Sequence, residues 1–224
     1  MTRMLKTSKT KLAAAIVLGA GAIVAGAAWS PAVVAGTAVA ASATTASQPE
    51  TVYALDKVHS VALFRVRHAG VGFFWGRFNA GDGEFFIDTD NPSNSFFRAT
   101  IQMASVDTGN ESRDKHLQAA DFFNARQFPT ATFESTGFRA AGGENMYELM
   151  GDLTFMGETK PITAAVEFGG NGTFRGKETQ GFEAVFEIKR TEWGLSTYVA
   201  DDGGEGGGLG NTVRIVLGVE GQKQ

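Results

Sequence analysis

Hydrophobic and polar residues alternate with period two from Val52 almost to the end of the chain, the pattern of half-buried β-strands. In 59–68, Ala62, Phe64 and Val66 share one face and Arg65 and Arg67 the other. Ala69-Gly70 reads as a bend. The strand 71–79 then aligns Gly72, Phe74, Gly76 and Phe78. Asp82-Gly83 reads as a hairpin-type turn, and 84–88 as a third strand. After the turn cluster Asn91-Pro92-Ser93-Asn94, 95–103 aligns Phe97, Ala99, Ile101 and Met103. Further strands are predicted over 130–138, 146–155, 161–168, 181–190 and 212–220. Gly142-Gly143, Met156-Gly157-Glu158, a loop at Gly169 to Gly172 and a long glycine-rich loop separate them. About nine short strands with one apolar face predict an all-β fold, an antiparallel sandwich or barrel. A barrel is favoured because it leaves no exposed edge.

Alternation stops only at 112–129. Arg113-Asp114-Lys115-His116-Leu117 predicts one or two helical turns. Asp121 is placed to cap a short turn before Phe122-Phe123, and Pro129 ends it. This short helical crossover belongs at an end or edge of the sheet. The inward faces mix rings with Gly72, Gly76, Ala99, Gly151, Ala164 and Ala184. Eight strands enclose either a packed core or one small ligand. The small residues tip the reading toward a cavity.

Composition adds an export signal. Arg3, Lys6, Lys9 and Lys11 precede an apolar run, Leu12 to Ala28, and small-residue cleavage patterns at Ala38-Val39-Ala40 and Ala41-Ser42-Ala43. The expected organisation is a cleaved signal peptide at 1–43, a linker at 44–51 and one β-barrel domain at 52–221. The product would be periplasmic or secreted. Without the four leader cations, sixteen basic residues face 24 acids, a formal charge of about −8. That balance argues against nucleic acid or an anionic membrane as the main partner. The chain has no cysteine, so stability must come from the core.

Candidate chemistry is sparse. His59 and His68 lie too far apart along one strand to share an ion, and His116 with Asp114 or Asp121 reads as structural hydrogen bonding. No metal ligand set, cofactor or catalytic residue is assigned. No serine sits in a Gly-x-Ser-x-Gly elbow. Glu183 and Glu187 face outward by alternation. Gly203 to Gly210 lacks the lysine and helix of a phosphate loop and reads as an acidic flap. Arg113, with Arg67 or His68, is the candidate for meeting a polar head group.

Residues in order along the chain resemble the YceI-like family. They include Asp56 with His59-Ser60, Gly76 with Phe78, and Ser105-Val106-Asp107-Thr108. They continue through Arg113-Asp114 with His116-Leu117, Asp121-Phe122-Phe123, Phe128-Pro129, Gly151-Asp152-Leu153-Thr154, Thr159-Lys160-Pro161 and Arg190 with Trp193-Gly194. The resemblance implies an elongated, lipocalin-like antiparallel barrel that holds an isoprenoid quinone, a polyprenyl phosphate or another long-chain amphiphile. The expected ligand-binding residues are Phe64, Val66, Phe74, Phe78, Ile101, Phe133, Leu153, Phe155, Ala164, Phe186, Ile188 and Trp193, with His68 and Arg113 at the mouth. Transient membrane contact and a homodimer are compatible with this reading. The alternatives are a filled-core stress-related or structural protein, and an enzyme acting on a lipid.

Overall fold

The computed structural model describes residues 51–224, so the expected leader and all but the last residue of the linker lie outside the described residues. Eight antiparallel strands run up and down in chain order. Strand β1 has two pieces, Tyr53–Leu55 and Val61–His68, and β2 has two, Gly72–Phe78 and Gly81–Phe86. Strand β3 comprises Phe96–Gln102 and Val106–Asp107. The others are β4 Thr130–Ala140, β5 Met146–Phe155, β6 Glu158–Phe174, β7 Lys177–Lys189 and β8 Leu209–Lys223. Each pairs with the next, and β8 closes on β1 through Ile215↔Phe64 and Gly221↔Leu55. Closure removes every long edge, as alternation without a protected flank demanded. Among the described residues no helix is long and apolar enough to cross a membrane.

Two expected turns are strand instead. Asp82 and Gly83 lie inside β2. Glycine is needed there because a Cβ would sit 2.4 Å from the Arg98 carbonyl of β3. Gly169 to Gly172 lie inside the 17-residue β6. Their ladder with β7 shifts register at Gly181/Phe182, and a Cβ on Gly169 would lie 3.2 Å from the Gly181 carbonyl. Glycine here marks a bulge with close backbone approach rather than a loop.

The crossover contains one helix, α1, Glu111–Leu117, whose N-cap Asn110 accepts the Arg113 N–H at 3.0 Å. Asp121 does not cap. Its carboxylate lies 2.9 Å from His116 Nε2, which also sets the imidazole edge-on to Phe122. Phe122 is buried and Phe123 half-buried, closing one end of the barrel. Apolar packing is concentrated at the two ends. One cluster, built on Phe85, Phe97, Leu149, Val166 and Phe182, fills the end that holds the first and last strand residues. Others, built on Met103, Phe122, Phe155, Trp193 and Phe64, lie under the crossover.

Candidate functional site

Between the filled ends lies an apolar cavity of about 220 Å³. Rings form both of its limits. On the crossover side Phe64, Phe78, Phe123 and Phe155 follow one another at centroid spacings of 5.6, 5.7 and 6.0 Å. On the other side Phe133 packs on Phe97 at 5.7 Å, and Phe97 on Phe182 at 5.3 Å. Two inward glycines expected to leave open space do something else. A Cβ on Gly76 would be 2.2 Å from the Phe64 ring, and one on Gly151 would be 2.3 Å from the Phe133 ring. These glycines let the rings lie flat against the wall. Ala99, Ala164 and Ala184 line the cavity directly.

The wall is interrupted between β1 and β2. β1 and β2 pair at Tyr53↔Phe85 and Ala54↔Glu84, and again from Ala62↔Phe78 onward. Between these ladders the two strands part, at 56–60 in β1 and at Asn79-Ala80 in β2. The Asn79 and Ala80 backbones turn to β3 instead, with Asn79 N–H donating to Ser105 and Gln102 N–H to Ala80. Lys57 Nζ spans the gap to Asp82 Oδ2 at 2.8 Å, and both side chains are exposed. Lys57, Ser60, Asn79 and Asp82 all border the cavity. The lumen is thus mostly apolar, with polar groups gathered at this lateral gap and Thr132 and Arg190 elsewhere on its lining.

Ten of the expected ligand-contact residues surround the cavity: Phe64, Val66, Phe78, Ile101, Phe133, Leu153, Phe155, Ala164, Phe186 and Ile188. Four do not. Phe74 points inward but is covered from the crossover by the Arg113 guanidinium, 4.4 Å above its ring. Arg113 also donates to Thr108 Oγ1 and to the Thr108 carbonyl, both at 2.8 Å. It ties the helix to β3 and is not at a mouth. His68 is exposed at the end of β1, opposite Gly72 and Leu209. Trp193 is buried under Lys160, its indole N–H donating to the Glu158 carbonyl at 3.3 Å.

Sequence reasoning also missed lining residues that no strand pattern marks. Leu117, Phe122 and Phe123 come from the crossover, Leu195 from the loop before β8 and Leu209 from the first residue of β8. The aromatic pair in the crossover was their available signal. Arg190, 6% exposed, borders the same end of the lumen. Its Nε donates to the Gly210 carbonyl at 2.9 Å, and its Nη atoms donate to Leu209 at 3.1 Å and Thr197 at 3.2 Å. Burial lowers its pKa and Glu205 partly opposes this. Asp56, His59 and Glu220 bring one ligand atom each within 4.8 Å of one another. His59 Nδ1 is already 2.9 Å from Asp56 Oδ2. That bond raises the His59 pKa and lowers that of Asp56, and it closes the turn between the pieces of β1.

A closed eight-stranded up-and-down antiparallel barrel around an apolar cavity is the architecture of the lipocalin-like class of β-barrels. Within that class, the model of the YceI-like domain matches residues 53–221. The chain belongs to the YceI-like family. Protein YceI of Salmonella arizonae is 36% identical over 184 residues, covering 81% of this chain and 92% of the relative. The crystal structure of Burkholderia cenocepacia BcnA superposes with a TM-score of 0.65 at 25% identity, covering 74% of this chain and 98% of that one. A polyisoprenoid binding domain from Saccharophagus degradans superposes with a TM-score of 0.57, covering 77% and 98%. At 16% identity this last likeness concerns the fold alone.

Proposed function

We propose that this barrel binds one long-chain isoprenoid lipid, an isoprenoid quinone or a polyprenyl phosphate, after export to the periplasm or beyond. The observation that carries the reading is the polarity of the cavity: a mostly apolar lining whose Lys57–Asp82 ion pair, Ser60 and Asn79 are gathered at the gap. A prenyl chain occupies the lumen and its head group lies at that gap. The naming of the Saccharophagus domain for polyisoprenoid binding agrees with this, and the basic, then apolar N-terminal stretch agrees with export. At about 220 Å³ the lumen takes only part of a long chain, so the rest extends through the gap or displaces side chains.

Burial contributes about 0.8 kcal/mol per methylene against water, but the competing environment is a bilayer, where the chain is equally dry. Transfer is close to neutral, which suits a carrier that both loads and unloads. The reading is of a binder and not an enzyme. The charged groups bordering the lumen are engaged, Lys57 with Asp82 and Arg190 with three carbonyls. Native mass spectrometry of protein purified from its own host, with organic extraction, tests it. One prenyl species near one-to-one occupancy is expected. An empty protein whose melting temperature does not rise with added quinone or polyprenyl phosphate would overturn the reading in favour of a ligand-free role.

A further inference from the structure

The alternation that turns Phe64 and Val66 into the lumen turns Arg65 and Arg67 outward, and pairing sets them beside two aromatic rings. Arg65 lies opposite Trp75 and Arg67 opposite Phe73. Phe73 is 56% exposed, Trp75 47%, and Val71 in the connecting turn 87%. Three of the six exposed large hydrophobics among the described residues therefore fall on this one hairpin, too concentrated for scattered surface residues.

The cations are organised around the rings. The Arg65 guanidinium sits 4.2 Å over Phe73 and 5.7 Å from Trp75. Arg67 is 5.7 Å from Phe73 and donates twice to the Gly70 carbonyl, at 3.1 and 2.6 Å. Arg77 continues the row and is held by Asn79. Among the described residues none of these three arginines forms an ion pair with a carboxylate. Asp107 lies opposite Arg77, and the Asn79 hydrogen bond, helped by the Arg77 charge, lowers its pKa, but the nearby acids accept their hydrogen bonds from other groups. Asp107 accepts from Asn79 and the Gly109 N–H, and Glu205 accepts from the Thr212 N–H.

We propose that this face docks the protein on an anionic bilayer. Phe73, Trp75 and Val71 enter the boundary between head groups and acyl chains, where indole and other amphipathic rings partition. Arg65, Arg67 and Arg77 meet lipid phosphates. The charge argues for a bilayer over a second copy of the chain, because a two-fold interface would bring the arginine row against itself. The overall negative charge does not oppose this, since a surface potential acts over about a Debye length, ~8 Å at physiological salt. The same two strands carry the lateral gap, so docking brings the opening toward the membrane.

The test uses the full chain with Trp29→Phe, so that the exposed Trp75 reports and the buried Trp193 does not. Vesicles contain phosphatidylcholine with or without phosphatidylglycerol, and brominated acyl chains quench an inserted indole. A blue shift and quenching of Trp75 are expected with phosphatidylglycerol only, and both should fade in high salt. Arg65→Gln with Arg67→Gln should weaken the transition by about thirtyfold, taking ~1 kcal/mol per arginine near an anionic surface. Both positions are on the outer face, so an unchanged melting curve confirms that the variant folds. Trp75 that stays unquenched while the chain co-sediments with vesicles would overturn the proposal, as would equal response to neutral vesicles. A concentration-dependent dimer in sedimentation velocity that buries Trp75 would overturn it in favour of self-association. The vesicle readout is independent of whether the cavity holds a lipid.

Discussion

Replacing Arg190 by Met removes the guanidinium while keeping much of the apolar stem. Arg190 stands at the foot of β7 in a 3₁₀ turn, Arg190–Trp193, that exits through Gly194 at φ 77°. Its three hydrogen bonds end on the carbonyl of Thr197, in the loop before β8, and on those of Leu209 and Gly210, which open β8. Bonds from a charged donor contribute about 1.5–3 kcal/mol each, and a buried carbonyl left unpaired costs about 1–3. Removing the buried charge returns part of this, because its own desolvation penalty disappears, and water can reach some of the freed carbonyls. A net loss of about 3–4 kcal/mol remains. For a domain of this size each kcal/mol moves the melting temperature by about 2–4 °C, so thermal circular dichroism should show Arg190→Met melting roughly 10 °C lower. Arg190→Lys should recover only part, because one ammonium cannot reproduce a planar fork aimed at three carbonyls. A Met variant melting within about 2 °C of the parent would refute the reasoning and free Arg190 for a role toward a bound head group.

Three further outcomes are expected. In this cysteine-free chain, Lys57→Cys with Asp82→Cys, bridged by a short bis-maleimide, should slow release of a preloaded lipid by roughly tenfold or more, as a closed lid does; unchanged release would place the opening elsewhere. Gly76→Ala forces the Phe64 ring away from the wall, so it should cost about 1–3 kcal/mol and lower lipid occupancy; full occupancy would show that the ring has another place to go. The Asp56–His59 bond lowers the aspartate from its ordinary 3.8 and raises the histidine from 6.5. The histidine's contribution is complete below 6.5 and is lost as pH rises through its folded value, whereas the aspartate's is present above 3.8 and is lost as pH falls through its own. The melting-temperature gap between parent and His59→Gln should therefore be larger near pH 5 than near pH 9, and a gap that grows toward alkaline pH would contradict the assignment.

The strands were legible because alternation is a local signal, and so was the barrel, because a long meander without a protected edge has few other solutions. Residues seen as inward from parity alone did surround the lumen wherever a strand's own neighbours decide the matter, as at Phe133, Leu153, Phe186 and Ile188. Reading failed where a partner distant in sequence decides. Phe74 has the right parity, yet Arg113 arrives from α1 to cover it. Gly83 and Gly169 carry turn chemistry, but each faces the backbone of a neighbouring strand. The lateral gap had no sequence mark, since it depends on β1 and β2 breaking at matching heights. Net charge likewise concealed the arginine row, which exists only in the register of β1 against β2.

That same register explains why a lipid would pass between β1 and β2 more readily than across the long unbroken ladders. The β7–β8 ladder runs without interruption through eleven residue pairs, from Thr179↔Gln222 to Lys189↔Thr212, and β5–β6 through ten. Parting either would break a continuous set of backbone bonds, each worth about 0.5–1.5 kcal/mol net. Between β1 and β2 the wall is already open at mid-height. Beyond the gap only the pairs at Tyr53 and Ala54 hold the strands together, and across it stands an exposed ion pair of the kind that contributes about 0–1 kcal/mol. Widening this gap costs a few kcal/mol, well within the reach of thermal opening on the millisecond scale. Tyr53 and Phe85 belong to the cluster that fills that end, so the sideways opening stays within the gap itself and leaves their pair in place, and the core clusters keep the barrel folded.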